Sequence, residues 1–277
     1  MISSVVARAL RRFSAPLLVS LLAFGCYPPT KIPIDTLRYE APSGPHDQLF
    51  VFLPGNGDKP SAFERHGFLK AVQDRGLPVD MIAVNAHLGY YMNGTIFTRL
   101  KEDVIDPAKA RGYEKIWLIG NSLGGYGSIS YARQYPHDIT GVVLLGPFLG
   151  SKNIIRDIME AGGLQKWDPG DIGNSSQDDW DKQLWKWMKD SQQQEEFWYW
   201  LKDCEDEKGC FPKIFLGYGS SDRFAYGQKL MAGILPQKHV VVVDGGHNWS
   251  TWKELWNIIL DKMTSKKAAA PAQVSAE

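Results

Sequence analysis

Six short apolar runs punctuate the chain, at Gln48–Leu53, Val79–Val84, Lys115–Ile119, Gly141–Leu145, Lys213–Leu216 and Val240–Val243. Most show little polar alternation, the pattern of strands covered on both faces. Between them lie stretches of helical character: Ser61–Arg75, Thr95–Arg111, Gly124–Tyr135, Ala225–Ile234 and Ser250–Met263. Within the second, Pro107 starts a new helix or kinks the existing one, because proline lacks a donor and its ring clashes with the preceding turn. Strands alternating with helices in this way predict an α/β domain with a mostly parallel central sheet flanked by helices.

The alternation breaks once, over residues 151–211, where tryptophans crowd together and no strand-like run occurs. This segment is expected to be a helical, Trp-rich cap inserted into the domain. Trp180, Leu184, Trp187 and Met188 share one helical face, and Phe197, Trp200, Leu201 and Cys204 repeat the spacing. Two readings stand side by side: these faces pack on the main domain, or some of the rings line a substrate pocket. After Thr264, residues 265–277 are expected to form a mobile tail.

The N-terminus changes the picture of where the protein works. Residues 1–26 carry Arg8, Arg11 and Arg12, no acid, and an apolar run from Ala15 to Phe24 that ends at Gly25-Cys26. That run is shorter than the roughly 20 residues a spanning helix needs, so it reads as an export signal. Its end resembles a bacterial lipoprotein signal, in which a lipidated cysteine, here Cys26, becomes the new N-terminus and tethers the protein to the membrane; Phe24 departs from that pattern in being bulky. Ordinary cleavage and an uncleaved anchor are the competing routes. The expected location is the bacterial cell envelope, on the periplasmic side. Residues 27–45, with Pro28, Pro29 and Pro33, read as a spacer, and 46–264 as the catalytic domain.

Lysine plus arginine and aspartate plus glutamate number 31 each, which leaves no electrostatic footprint for nucleic acid. In an oxidising compartment, Cys204 and Cys210 become a candidate disulfide closing a small loop, with two free thiols as the alternative. Neither a dinucleotide-binding loop nor a complete metal-ligand set occurs, so no cofactor is expected.

The chemistry centres on Gly120-Asn121-Ser122-Leu123-Gly124, placed directly between an apolar run and a helical stretch. A serine at the apex of such a strand-to-helix turn takes up a strained backbone conformation, and flanking glycines remove side chains that would collide with neighbouring segments. Two further residues follow later strand-like runs, an acid and then a histidine. Asp222 comes after Ile214–Gly219, and His247 comes after Val240–Val243 through Asp244-Gly245-Gly246. A serine hydroxyl needs a base, which His247 supplies, and the imidazole needs an acid to orient it. Asp244 competes for that second role, but it stands only three residues before His247 and would have to reach round the same turn. Gly55-Asn56-Gly57 ends the first run and is read either as a loop that helps bind an anion or as a plain turn.

These residues together resemble the α/β-hydrolase superfamily, its serine esterase and lipase branch in particular. The match runs from about residue 48 to 263 and takes in the Ser122 elbow, the Asp222 turn and Gly246-His247-Asn248-Trp249. The resemblance implies the α/β-hydrolase fold, an acyl-enzyme on Ser122, and an oxyanion hole formed by the backbone N–H groups of Asn56 and Leu123. It departs in having Pro54-Gly55 where the family usually has His-Gly. The expected reaction is hydrolysis of a carboxylic ester, small-molecule or lipid. Acyl transfer, thioester or amide cleavage on the same residues are alternatives, and a non-catalytic envelope binding protein is the remaining one.

Overall fold

The computed structural model describes residues 28–42, 44, 46–168, 191–202 and 212–264. Seven strands form one sheet: β1 (Thr36–Tyr39), β2 (Gln48–Leu53), β3 (Asp80–Val84), β4 (Lys115–Asn121), β5 (Gly141–Leu145), β6 (Lys213–Gly219) and β7 (Val240–Val243), in the spatial order β1-β3-β2-β4-β5-β6-β7. All neighbours are parallel except β1, which runs antiparallel to β3 with Thr36 opposite Val84 and Tyr39 opposite Met81. The six expected strands are present. β1 is additional and lies in the expected spacer; it is an edge strand, at most half-buried, and its Thr-Leu-Arg-Tyr sequence has no apolar run.

Side chains alternate across the sheet and divide the core in two. Leu49, Val51 and Leu53 join Ile116, Leu118, Val142 and Leu144 on one face. Phe50 and Phe52 join Trp117, Ile119, Val143 and Leu145 on the other. Both faces of the inner strands β2 to β6 are covered, which is why these read as continuous apolar runs rather than alternating ones.

The first expected helix is two, α1 (Ala62–Arg65) and α2 (Phe68–Asp74), broken at Gly67, whose φ of 79° leaves the helical region. A short α3 (Leu88–Met92) follows β3. The second expected helix is also subdivided: α4 (Ile96–Leu100), one turn of π-helix over Lys101–Ile105, and α5 (Asp106–Ala110), with Pro107 in the first turn of α5 where its missing N–H costs nothing. Next come α6 (Leu123–Gln134), α7 (Lys152–Glu160), α8 (Ser191–Lys202), α9 (Ala225–Ile234) and α10 (Trp249–Thr264). With α1 and α2, α10 covers the aromatic face, where Trp256 lies stacked 5.9 Å from Phe68 and donates its indole N–H to Phe68 O.

Of the insertion, α7 and α8 are described, and both touch α9. Phe197, Trp198 and Leu201 are buried in the main core, and Trp198 Nε1–H donates to Leu149 O at 3.1 Å. The packing reading therefore holds for Phe197 and Leu201, and the expected stripe omitted the buried Trp198. Trp180, Leu184, Trp187, Met188, Cys204, Cys210 and Cys26 lie outside the described residues, as does the tail. No helix among the described residues is long and apolar enough to cross a membrane.

Candidate active site

Three parallel strands end side by side where the chemistry gathers. Leu53 of β2 pairs with Gly120 of β4, and Asn121 pairs with Leu145 of β5. Ser122 then turns the chain sharply into α6 with φ 51° and ψ −114°, the sole positive φ of any non-glycine among the described residues. Holding a serine there costs of order 1–3 kcal/mol, which the surrounding packing must offset. Backbone bonds on both sides do so: Ser122 N–H donates to Leu145 O at 3.1 Å, and Ser122 O accepts from Tyr126 and Phe148 N–H, each at 3.2 Å. The glycines are obligatory for close approach. A Cβ on Gly120 would lie 2.1 Å from Gly124 O, and one on Gly124 would lie 2.0 Å from Leu53 O.

His247 Nε2 is 2.9 Å from Ser122 Oγ, and its Nδ1 is 2.9 and 3.0 Å from the two carboxylate oxygens of Asp222. A carboxylate can only accept, so the proton sits on Nδ1 and Nε2 accepts the Ser122 hydroxyl. Asp222 is fully shielded from solvent at its side chain and His247 nearly so. Phe224 N–H further fixes the carboxylate, donating to Asp222 Oδ1 at 2.8 Å. The imidazole stands between two aromatic edges, with Phe224 and Trp252 each 4.9 Å away and almost perpendicular. Asn248 caps the helix behind it, its Oδ1 accepting from Thr251 N–H at 3.1 Å.

The competing acid takes no part in this chain of bonds. Asp244 Oδ1 accepts from Ser220 Oγ–H at 3.2 Å in an exposed turn. Among the other histidines, His66 stacks on Trp249 at 4.5 Å, and His87 accepts from Gly89 N–H at the start of α3, where burial lowers its pKa.

The turn after β2 approaches Ser122 through Gly55, on which a Cβ would lie 3.3 Å from Ser122 Cβ. Leu123 is the first residue of α6, whose opening N–H groups have no partner within the helix and sit at its positive end. Asn56 is exposed in a tight turn closed by Asp58 N–H donating to Gly55 O at 3.2 Å. The pattern along the chain did not point to Asp58, Asn121, Phe148, Phe224 or Trp252. Asn121 is wholly buried with neither amide atom hydrogen-bonded among the described residues, and Phe148 and Phe224 meet edge to face at 5.2 Å. Of these only Asn121 carried any signal, standing inside the pentapeptide around Ser122.

A family model described as serine aminopeptidase, S33, matches residues 96–170, the stretch from α4 through the elbow to the opening of the insertion. No curated protein matches the sequence. Among solved structures, a monoacylglycerol lipase from Paleococcus ferrophilus is 17% identical, with 84% of this chain and 98% of that one covered and a TM-score of 0.53. An α/β hydrolase from a sediment metagenome of the Mar Chica lagoon, Morocco, is 18% identical over 84% of this chain and 95% of that one, with a TM-score of 0.52. A fluorophosphonate-binding serine hydrolase from Staphylococcus aureus is 16% identical over 82% and 97%, with a TM-score of 0.50. These likenesses show the α/β-hydrolase fold. The matched segment contains the elbow at Ser122.

Proposed function

We propose that the protein hydrolyses carboxylic esters through an acyl-enzyme on Ser122. The observation that carries this reading is the continuous relay from Ser122 Oγ through His247 to Asp222, each link at 2.9 Å, on a serine held in strained backbone. In the first half, Oγ bonds to the ester carbonyl carbon while His247 Nε2 takes its proton. The C–O bond to the alcohol breaks, and that proton leaves with the alcohol oxygen. Water then attacks the acyl-enzyme by the same route and releases the acid and free Ser122. Asp222 holds the imidazole in one tautomer and stabilises its cation. The N–H groups of Leu123 and Asn56 bind the oxyanion, a kind of donor worth about 3 kcal/mol where one has been removed in other enzymes.

The test is covalent. A fluorophosphonate probe labels the protein, and Ser122→Ala abolishes the label; labelling that survives the substitution removes Ser122 from the mechanism. Product analysis with and without added alcohols separates hydrolysis from acyl transfer.

Export and lipid attachment at Cys26 belong to the same reading and rest on the sequence of residues 1–26. Metabolic labelling with a clickable fatty acid marks the protein in its native host, and Cys26→Ser removes the mark. A protein that stays unlabelled, yet is cleaved, fits ordinary export instead.

A further inference from the structure

The turn after β2 carries an acid that the ester-hydrolase reading leaves unused. Asp58 Oδ1 accepts from Trp249 Nε1–H at 3.3 Å, which ties this turn to the loop just beyond His247. Asp58 has no ion pair, and its Oδ2 accepts no hydrogen bond, among the described residues. Gly55 locates that second oxygen. A Cβ on Gly55 would lie 3.4 Å from Asp58 Oδ2, 3.3 Å from Ser122 Cβ and 3.0 Å from Asn121 Nδ2, so the second carboxylate oxygen of the half-buried Asp58 and Ser122 flank one small space.

A negative charge there works against the reaction of a neutral ester, because the developing oxyanion is repelled across a few ångströms of partly desolvated space. A positive group on the substrate reverses the sign of that effect. Which half of the ester carries it follows from the loops. The departing alcohol oxygen collects its proton from His247 Nε2, and Trp249, which holds Asp58, stands two residues beyond His247. Phe148 and Leu149 lead instead into the insertion, where Leu149 O binds Trp198. Arg223, the cation beside Asp222 in sequence, is engaged over the Phe224 ring at 4.9 Å.

The geometry points to Asp58 as a subsite for a cationic nitrogen on the alcohol half of the ester, making the substrate an ester of an amino or quaternary-ammonium alcohol. This rests on Ser122 being the nucleophile.

The experiment compares kcat/KM for butyrylcholine and for its uncharged isostere, 3,3-dimethylbutyl butyrate, with the full-length protein and with Asp58→Asn. Asparagine keeps an acceptor for Trp249 and removes only the charge. The intact protein prefers the choline ester by about tenfold, the size of one partly screened charge pair. Asp58→Asn lowers kcat/KM for the choline ester and raises it for the neutral one, an opposite-signed change that a merely structural role does not produce. Equal rates with the intact protein, a preference that survives the substitution, or an equal loss on both esters overturns the subsite. Salt gives a second reading that needs no variant: about 0.5 M sodium chloride narrows the preference, and a preference unmoved by salt overturns it. Turnover of neither ester, with no probe labelling of Ser122, overturns the hydrolase reading itself.

Discussion

At the elbow, backbone meets backbone. Gly120 and Gly124 allow β4, α6 and the end of β2 to approach so closely that a single Cβ would fall about 2 Å from a carbonyl oxygen. At the insertion, side-chain ends do the holding. Trp198 reaches Leu149 O, Lys202 reaches Trp167 O at 3.1 Å, and Glu196 of α8 faces Arg133 of α6 at 3.8 Å. Burial lowers the Arg133 pKa to about 10, with Glu196 beside it pulling the other way. The contrast has a physical meaning. Backbone contacts leave no room for a substituent, so the reaction's geometry is fixed. Side-chain anchors can be exchanged one at a time, so α7 and α8 can change without moving Ser122.

Three substitutions test that contrast, from the largest effect to the smallest. Asp222→Asn keeps the shape of the site but offers an amide N–H to His247 Nδ1, which selects the wrong tautomer; kcat is expected to fall by about 10⁴ with little change in thermal midpoint. A fall of less than tenfold would mean that Asp222 does not orient His247. Gly124→Ala drives a methyl into Leu53 O and is expected to cost about 3 kcal/mol in chemical denaturation, with loss of probe labelling. A variant as stable and as reactive as the parent breaks the claim that the elbow is fixed by backbone approach. Trp198→Phe removes one buried N–H donor from Leu149 O and is expected to cost about 1 kcal/mol. Turnover of short esters should change less than twofold, and a hundredfold loss would show that the insertion shapes the elbow after all.

Most of the sheet was legible because its strands are covered on both faces, which writes each of them as a short apolar run. β1 was not, since Thr36-Leu37-Arg38-Tyr39 mixes polar and apolar residues and carries no such run. The helices were legible in place but not in continuity. Gly67 breaks one, and the turn of π-helix before Pro107 divides another, and both depend on how the segment meets the sheet. At the site, Ser122, Asp222 and His247 were legible because each follows a predicted strand, in the chain order of the fold the sequence resembles. Asp58 was not, because Gly55-Asn56-Gly57-Asp58 has the composition of any tight turn.

The sequence by itself determined the kinds of element, their order along the chain, and which serine, acid and imidazole stand at strand ends, since apolar periodicity and turn residues are local properties. The sequence also favoured Asp222 over Asp244, and only the tertiary structure decided the distances, with Asp222 Oδ2 at 2.9 Å from His247 Nδ1 and Asp244 turned to Ser220. It alone decided the burial of Trp198 and the approach of Asp58 to Ser122 as well. Those relations join residues far apart in the chain, and they come into being only when parallel strands bring their ends together at one edge of the sheet.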